Sequence, residues 1–336
     1  VKPASGGRDP LRPRSIPPTR LRPRRTPPTT PTVTVNTGGG SAQPREMWGE
    51  VMSSGHHSIF VEPHRSADGA RRLTEDQLDH ARSLLRVEGA VILPGIVPAE
   101  LVARLRDTML ADLARREHPL PTNFVTGHIQ QDPPPVPELL FPEVLLNESV
   151  YRVTTALLGP DAKNAVYSGN INLPGSLEQP VHLDEGHLWP GPTEHPAYAL
   201  EVDIPLIDFT VHNGSTEYWL GTHQLNPEGW YDDSGRVETA ALEQRRAVRP
   251  PQQFAIPAGS AVIRDARLWH RGTVNHSSSP RPMVAMTHYC DWFETPPIVL
   301  PSAVRPWIES SPYRTSATFT DEPIDHLTSE HAFAIQ

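Results

Sequence analysis

Gln179-Pro180-Val181-His182-Leu183-Asp184 is the stretch on which the reading of this chain turns. Alternate side chains of an extended strand point to the same side, so His182 and Asp184 can reach one metal ion. An imidazole nitrogen and a carboxylate oxygen need one more histidine to complete a facial triad, an arrangement that leaves three adjacent positions open on a six-coordinate iron. That partner has to come from a distant strand. The strongest candidate segment is 260–272, Ser-Ala-Val-Ile-Arg-Asp-Ala-Arg-Leu-Trp-His-Arg-Gly, which carries His270. His-x-Asp alone is a weak signal, and further segments in order give it weight. Asn213-Gly214-Ser215-Thr216 is followed by Gly221-Thr222-His223, and Arg281 stands in Pro280-Arg281-Pro282 at the start of a strand. A fixed guanidinium there can pair bidentately with a small dicarboxylate.

Working outward, the segments after residue 158 read as short strands broken by Gly, Pro and Asn: 165–168, 199–207, 253–256, 260–263 and 283–289. The segments before it read as helices. Thr74-Glu75-Asp76-Gln77 has capping-box spacing, Leu78, Ala81 and Leu85 follow at helical intervals, and Gly89 stops the run. Ala90-Val91-Ile92-Leu93 is a short buried strand. Pro98 suits the first turn of a second helix with Leu101, Leu105, Met109 and Leu113 on one face, and 141–158 reads as one further helix. The proline-rich stretch 119–137 reads as a long loop, and such loops are often lids or binding segments. Helices first and strands afterwards predict an α+β fold with an antiparallel barrel or sandwich core.

Composition bounds the rest. The chain has 336 residues with 37% hydrophobic and 21% charged, enough for a substantial buried core. The single cysteine, Cys290, excludes an internal disulfide framework and a thiolate zinc cluster, and fits a reducing, cytoplasmic setting. Its longest apolar runs are far too short for a membrane span. Lys2 and eight arginines face only Asp9 within 1–45, whereas the net charge of the whole chain is −9. The tail also holds ten prolines and seven threonines in 1–44 and few large apolar residues, so it reads as a disordered, solvated extension. A transit peptide and a nucleic-acid arm are its rival readings. The acidic remainder argues against nucleic acid as a substrate. Three segments follow: the tail 1–45, a catalytic domain 46–300 and a peripheral extension 301–336.

Taken together, Gly-Ala-Val-Ile-Leu-Pro-Gly at 89–95, the His-x-Asp, the Asn-Gly-Ser-Thr and Gly-Thr-His blocks, and Leu-Trp-His-Arg-Gly at 268–272 with Arg281 resemble the phytanoyl-CoA dioxygenase family of Fe(II)- and 2-oxoglutarate-dependent oxygenases. The resemblance spans roughly residues 73–293. Ile-Gln-Gln-Asp-Pro-Pro at 129–134 and Ser-Gly-Asn at 168–170 look like the branch that acts on natural products, that is, secondary metabolism. The resemblance implies a double-stranded β-helix, a cupin-like jelly roll, with flanking N-terminal helices. It implies His182, Asp184 and His270 as iron ligands and Arg281 as the holder of the far carboxylate of 2-oxoglutarate. Gln179 and Thr216 match positions that touch the cosubstrate. Some members carry a serine where this chain has Gly272, and Thr273 is the candidate to supply that hydroxyl.

The implied reaction couples oxidative decarboxylation of 2-oxoglutarate, to succinate and carbon dioxide, with hydroxylation of a small-molecule substrate by dioxygen, and ascorbate is the expected supporting reductant. Asp184 separates the chain from related halogenases, which carry a small residue there. His187, Trp189, Phe124, His128 and Tyr198 are candidate pocket walls, and His223 reads as structural. No membrane or nucleic-acid partner is expected, and a homodimer is left open. The rival functions are a non-catalytic jelly-roll partner subunit, a cupin-like metalloenzyme without 2-oxoglutarate, and a nucleic-acid demethylase, which the core charge disfavours.

Overall fold

The computed structural model describes residues 58–67, 69–115, 122–189, 191, 193–232 and 234–327. All of them belong to one compact unit, Val51–Gln336. The basic tail 1–45 lies outside the described residues, so the expectation of disorder there is not addressed by them. Among the described residues no helix is long and apolar enough to cross a membrane.

In chain order, strands β1 (His64–Arg65) and β2 (Arg71–Arg72) form a small hairpin. Helix α1 (Glu75–Glu88) begins at the expected capping box: the Gln77 amide donates to Thr74 Oγ1 at 3.2 Å and the Thr74 amide to Gln77 Oε1 at 2.9 Å. It ends at Gly89, whose φ of +81° suits glycine. A Cβ at that position would also lie 2.5 Å from His223 Nδ1, so His223 is structural, packed on the helix end. Strand β3 (Ala90–Leu93) is fully buried, and helix α2 (Ala99–Arg115) buries Val102, Leu105 and Met109.

Two expectations are corrected between residues 122 and 158. The described part of the loop contains a strand, β4 (His128–Gln130), held in place by pairing with a long neighbour. The helix expected over 141–158 is two, α3 (Pro142–Leu145) and α4 (Glu148–Leu158). Asn147 causes the break. Its Oδ1 accepts from the Val150 amide at 3.2 Å while its Nδ2 donates to Glu143 O at 2.9 Å, so it caps one helix and closes the other.

The remaining elements are β5 (Lys163–Asn172), β6 (Ala199–Pro205), β7 (Glu217–Tyr218), α5 (Thr239–Val248), β8 (Gln252–Gln253), β9 (Ala261–Asp265), β10 (His270–Arg271), β11 (Arg281–Tyr289), β12 (Ile298–Pro301), α6 (Arg305–Glu309), β13 (Arg314–Thr315) and β14 (Ala317–Thr320). The major sheet runs β13-β5-β11-β6-β9-β3, with β4 also on β5. Its outer face packs on α1, α2 and α4 through the main apolar cluster, which includes Leu85, Leu105, Met109, Val153 and Val202. The minor sheet, β10-β7-β8, is extended by single bridges from His182 to His270 and to Arg236. These two layers make the double-stranded β-helix, with helices on one side. The extension 301–336 is not merely peripheral in its described part: β13 adds to the β5 edge and β14 pairs with β12 in parallel.

Candidate active site

His182 sits on an extended segment that is a strand for only one residue. It exchanges backbone hydrogen bonds with His270, at 3.0 and 3.1 Å, and this cross-strand pairing brings two histidines 88 positions apart in sequence side by side. Two residues on, the Asp184 amide donates to Ala266 O at 3.0 Å, which turns its carboxylate back toward both rings. One ligand atom from each of His182, Asp184 and His270 lies within 4.8 Å of the others. His182 Nε2 is 3.7 Å from Asp184 Oδ1, and His270 Nε2 is 3.5 Å from Asp184 Oδ2.

The tautomers follow from the outer contacts. His182 Nδ1 lies 2.9 Å from Pro180 O and His270 Nδ1 3.0 Å from Leu268 O. A carbonyl only accepts, so each Nδ1 carries the proton and each Nε2 presents a lone pair to the shared point. Burial, at 2% and 6% exposure, pushes both imidazoles below their ordinary range and keeps them neutral. Desolvation alone would raise the Asp184 carboxyl, but the Arg264 guanidinium beside it outweighs that and holds it below the usual carboxylate range. Two neutral imidazoles and a carboxylate suit a divalent iron-type ion.

Arg264, which sequence reading passed over, organises the carboxylates. Its Nη2 contacts Asp184 Oδ2 at 2.5 Å and its Nε donates to Asp203 Oδ2 at 3.2 Å. Burial opposes its charge, yet Asp184, Asp203 and Glu201 outweigh that and keep it protonated. The only sequence signal was a cation inside the otherwise buried strand Ala-Val-Ile-Arg-Asp. Glu201, on the neighbouring strand, accepts from the Thr287 hydroxyl at 3.0 Å. Burial first, then the nearby Asp184, pushes its carboxyl well up.

Arg281 opens β11 and lines the same cavity of about 300 Å³ as the triad. It is 4% exposed, stacks on Phe209 at 4.0 Å, and its Nε and Nη1 have no hydrogen-bond partner among the described residues. Burial lowers its pKa to about 10, which still leaves it charged at neutral pH. A buried guanidinium with unmet donors is costly unless an anion completes it. The donor set therefore fits a metal that shares the cavity with a small dicarboxylate.

The other expected site residues divide. Thr216 lines the cavity and its hydroxyl is bonded to Tyr218. Gln179 lines it too, but its amide is already engaged, donating to Asn123 O at 2.9 Å and accepting from the Gly272 amide at 2.7 Å. Thr273 is a correction. Its hydroxyl donates to Ser215 O and accepts from Gln253 Nε2, each at 2.9 Å, and it does not line the cavity. The place of the missing serine is filled from the opposite sheet: a Cβ on Gly272 would lie 2.4 Å from the His128 ring. His128 and Arg281 both register against Asn172, on opposite edges of β5. Phe124 is also in the cavity, its ring 4.2 Å from that of His182, with a left-handed φ of +66°.

His187, Trp189 and Tyr198 do not line the triad cavity and are corrected as its walls. His187 lines a separate cavity with His195 and Arg267. Trp189 lies outside both, its indole N–H donating to Thr193 O at 3.0 Å. Tyr198 is buried in the aromatic group with Phe293 and donates to Gly186 O at 2.7 Å. For His187 and Trp189 the cause is the bend at Asp184–Glu185, after which the chain leaves the cavity until β6 returns to it.

Comparison with known proteins matches this geometry. The family model for phytanoyl-CoA dioxygenase (PhyH) matches residues 85–283. The dioxygenase af480 of Aspergillus fumigatus is 24% identical over 238 residues, covering 68% of this chain and 71% of that protein. The dioxygenase andF of Emericella variicolor is 28% identical over 156 residues, covering 44% of this chain, which spans half the length of that relative. Among solved structures, the non-heme α-ketoglutarate-dependent epimerase SnoN from nogalamycin biosynthesis superposes with a TM-score of 0.50 at 18% identity, over 64% of this chain and 82% of that one. At that identity the likeness shows the fold.

Proposed function

The chain belongs to the phytanoyl-CoA dioxygenase family and is an Fe(II)- and 2-oxoglutarate-dependent oxidoreductase, and on that premise we propose that it hydroxylates a small-molecule intermediate of natural-product metabolism. The observation that carries the cosubstrate reading is Arg281, buried beside the triad with two donors unmet. When bound, iron supplies the activation of dioxygen coupled to decarboxylation of 2-oxoglutarate to succinate. The chain's own part is positioning. His182 Nε2, Asp184 and His270 Nε2 would hold the metal, with Pro180 O and Leu268 O fixing the two rings. Arg264 fixes the Asp184 carboxylate, and Arg281 receives the far carboxylate of 2-oxoglutarate with its planar fork. Gln179, engaged at both ends of its amide, joins the segment at Asn123 to Gly272 and so shapes the wall rather than binding through a free donor.

The substrate class rests on the relatives' names. Two are called dioxygenases and one structure is of an enzyme from nogalamycin biosynthesis. That last enzyme is an epimerase, so stereochemical inversion is the second outcome to assay. A cupin-like metalloenzyme without 2-oxoglutarate has no use for the unmet Arg281 donors. A non-catalytic partner subunit has no use for the intact triad.

The test is incubation of the full chain with Fe(II), ascorbate, 2-oxoglutarate and air, with succinate and oxidised product measured over a substrate panel. Succinate that depends on both iron and 2-oxoglutarate is expected. Its absence under all conditions would overturn the reading.

A further inference from the structure

A larger cavity adjoins that of the triad. Val166, Ser168 and Glu185 line both, and the second has a volume of about 720 Å³ against about 300 Å³ for the first. The connection follows from sheet topology. On the edge of β5 away from β11, its start pairs with β13 and its end with β4, so no strand covers that edge beside 165–168 among the described residues. Beyond β4, the Gln131 amide makes one more bond to this edge, to Gly169 O at 2.9 Å. Prolines, which cannot donate to a strand edge, run past this window at Pro133, Pro135, Pro296 and Pro297. The C-terminal segment Thr320–His326 forms the far wall.

The lining has a consistent chemistry. Its aromatic wall is Tyr167, Tyr289 and Phe293, the last two stacked at 5.0 Å with rings 3° apart. Its charged groups are Asp132, Glu185, Glu294, Glu322 and Asp325, and no lysine or arginine lines it among the described residues. The one basic side chain, His326, is bonded to Asp112 at 3.1 Å. Asp132 and Glu185, the two half-buried acids, stand at the passage to the metal. Asp132 accepts from Ser168 at 2.6 Å and Glu185 from Tyr289 at 2.7 Å. Independently of the acids, the Tyr167 hydroxyl is buried, the residue being 8% exposed, and has no partner among the described residues. A buried hydroxyl left unmet calls for a ligand polar atom.

We infer that this chamber binds the substrate and selects a hydrophobic molecule bearing a basic amine. The inference rests on the oxygenase reading above. The ammonium lies between Asp132 and Glu185, the apolar body lies against the aromatic wall, and the carbon to be oxidised passes the window toward the triad. Carboxylates beside aromatic faces are the environment a cation prefers. A coenzyme A thioester, whose phosphates need cations, meets five carboxylates instead. The family's name therefore does not describe this chain's substrate.

The test is equilibrium binding to the metal-free full chain, using three fluorescent or competing probes: dansylcadaverine, its neutral N-acetyl derivative, and palmitoyl-CoA. Dansylcadaverine should bind at least about tenfold tighter than the acetylated form, the ratio expected for one charge-assisted contact. Asp132→Asn with Glu185→Gln keeps acceptors for Ser168 and Tyr289 and should collapse that ratio to near one, with little change for the neutral probe. Equal binding of the two dansyl probes, no binding of the amine, or preference for palmitoyl-CoA would each overturn the inference, and the wild-type ratio alone decides if the variant fails to fold. Succinate formation from the same preparation, given iron and 2-oxoglutarate, reports on the oxygenase reading separately. Turnover without amine preference sinks the chamber and spares the reaction, and amine preference without turnover does the reverse.

Discussion

Replacing Arg281 by methionine separates a cosubstrate anchor from a structural cation. The guanidinium is 4% exposed, with Nε and Nη1 lacking partners among the described residues. Methionine keeps most of the volume and removes a desolvated charge whose donors the fold leaves unmet. The free protein should therefore be no less stable, and up to about 2 kcal/mol more stable. Binding of 2-oxoglutarate should fall in the opposite direction. Each charge-assisted hydrogen bond to a carboxylate contributes about 1.5–3 kcal/mol, so losing the fork costs roughly ten- to a hundredfold or more in affinity. A thermal-shift titration with Fe(II) held constant reads both effects. In wild type, 2-oxoglutarate at 100 times its dissociation constant should stabilise by about 2.7 kcal/mol and raise the melting temperature by several degrees. In Arg281→Met the starting temperature should hold or rise and the ligand shift should vanish at the same concentration. A variant that melts much lower and still shows a full shift would refute the reasoning, because Arg281 would then be structural and another group would hold the carboxylate.

Three further outcomes follow. Arg264→Met leaves Asp184 and Asp203 unpaired and should destabilise the protein by about 3–5 kcal/mol in urea melts, and it should weaken Fe(II) binding by about 10- to 100-fold. Gly272→Ser places a Cβ 2.4 Å from the His128 ring and 2.7 Å from Gln179 Oε1 and should cost about 1–3 kcal/mol, with the His128 share recovered in Gly272→Ser with His128→Ala, so a double-mutant cycle would read a coupling between the two positions. His288 is pushed down to about 3 by burial, so between that pH and about 6.5 its unfolded form binds the extra proton. Its contribution therefore makes stability rise with pH through that window and fall as the pH drops. His288→Gln should flatten the urea midpoint's pH dependence below pH 6.5 by up to about 1.4 kcal/mol per pH unit, with no change above it.

The triad was legible because its geometry is local in pattern and simple in pairing. His-x-Asp alternates on an extended segment, and His270 lies directly across from His182. The core strands were legible from their apolar runs, and the capping box and Gly89 marked α1 with its ends. What failed depended on long-range geometry. A three-residue strand such as β4 exists only because β5 pairs with it, and nothing in His-Ile-Gln announces that partner. Thr273 stands one residue beyond the family's serine position, and Gln253 and Ser215, far away in sequence, engage its hydroxyl. His187 and Trp189 stood close to the His-x-Asp in sequence, yet the turn after Asp184 carries them out of the cavity. Arg264 lay in the quoted segment and was passed over because the partners of a buried charge are set by neighbouring strands.

The central claim is that His182, Asp184 and His270 form one Fe(II) site that works with 2-oxoglutarate. Anaerobic equilibrium binding of Fe(II) in the presence of 2-oxoglutarate tests it most directly, on wild type and on His182→Ala, Asp184→Ala and His270→Ala. The account predicts one tightly held Fe(II) per chain in wild type and its loss in all three variants, each of which still folds; iron held equally well by any of them, or no stoichiometric iron in wild type, would contradict it.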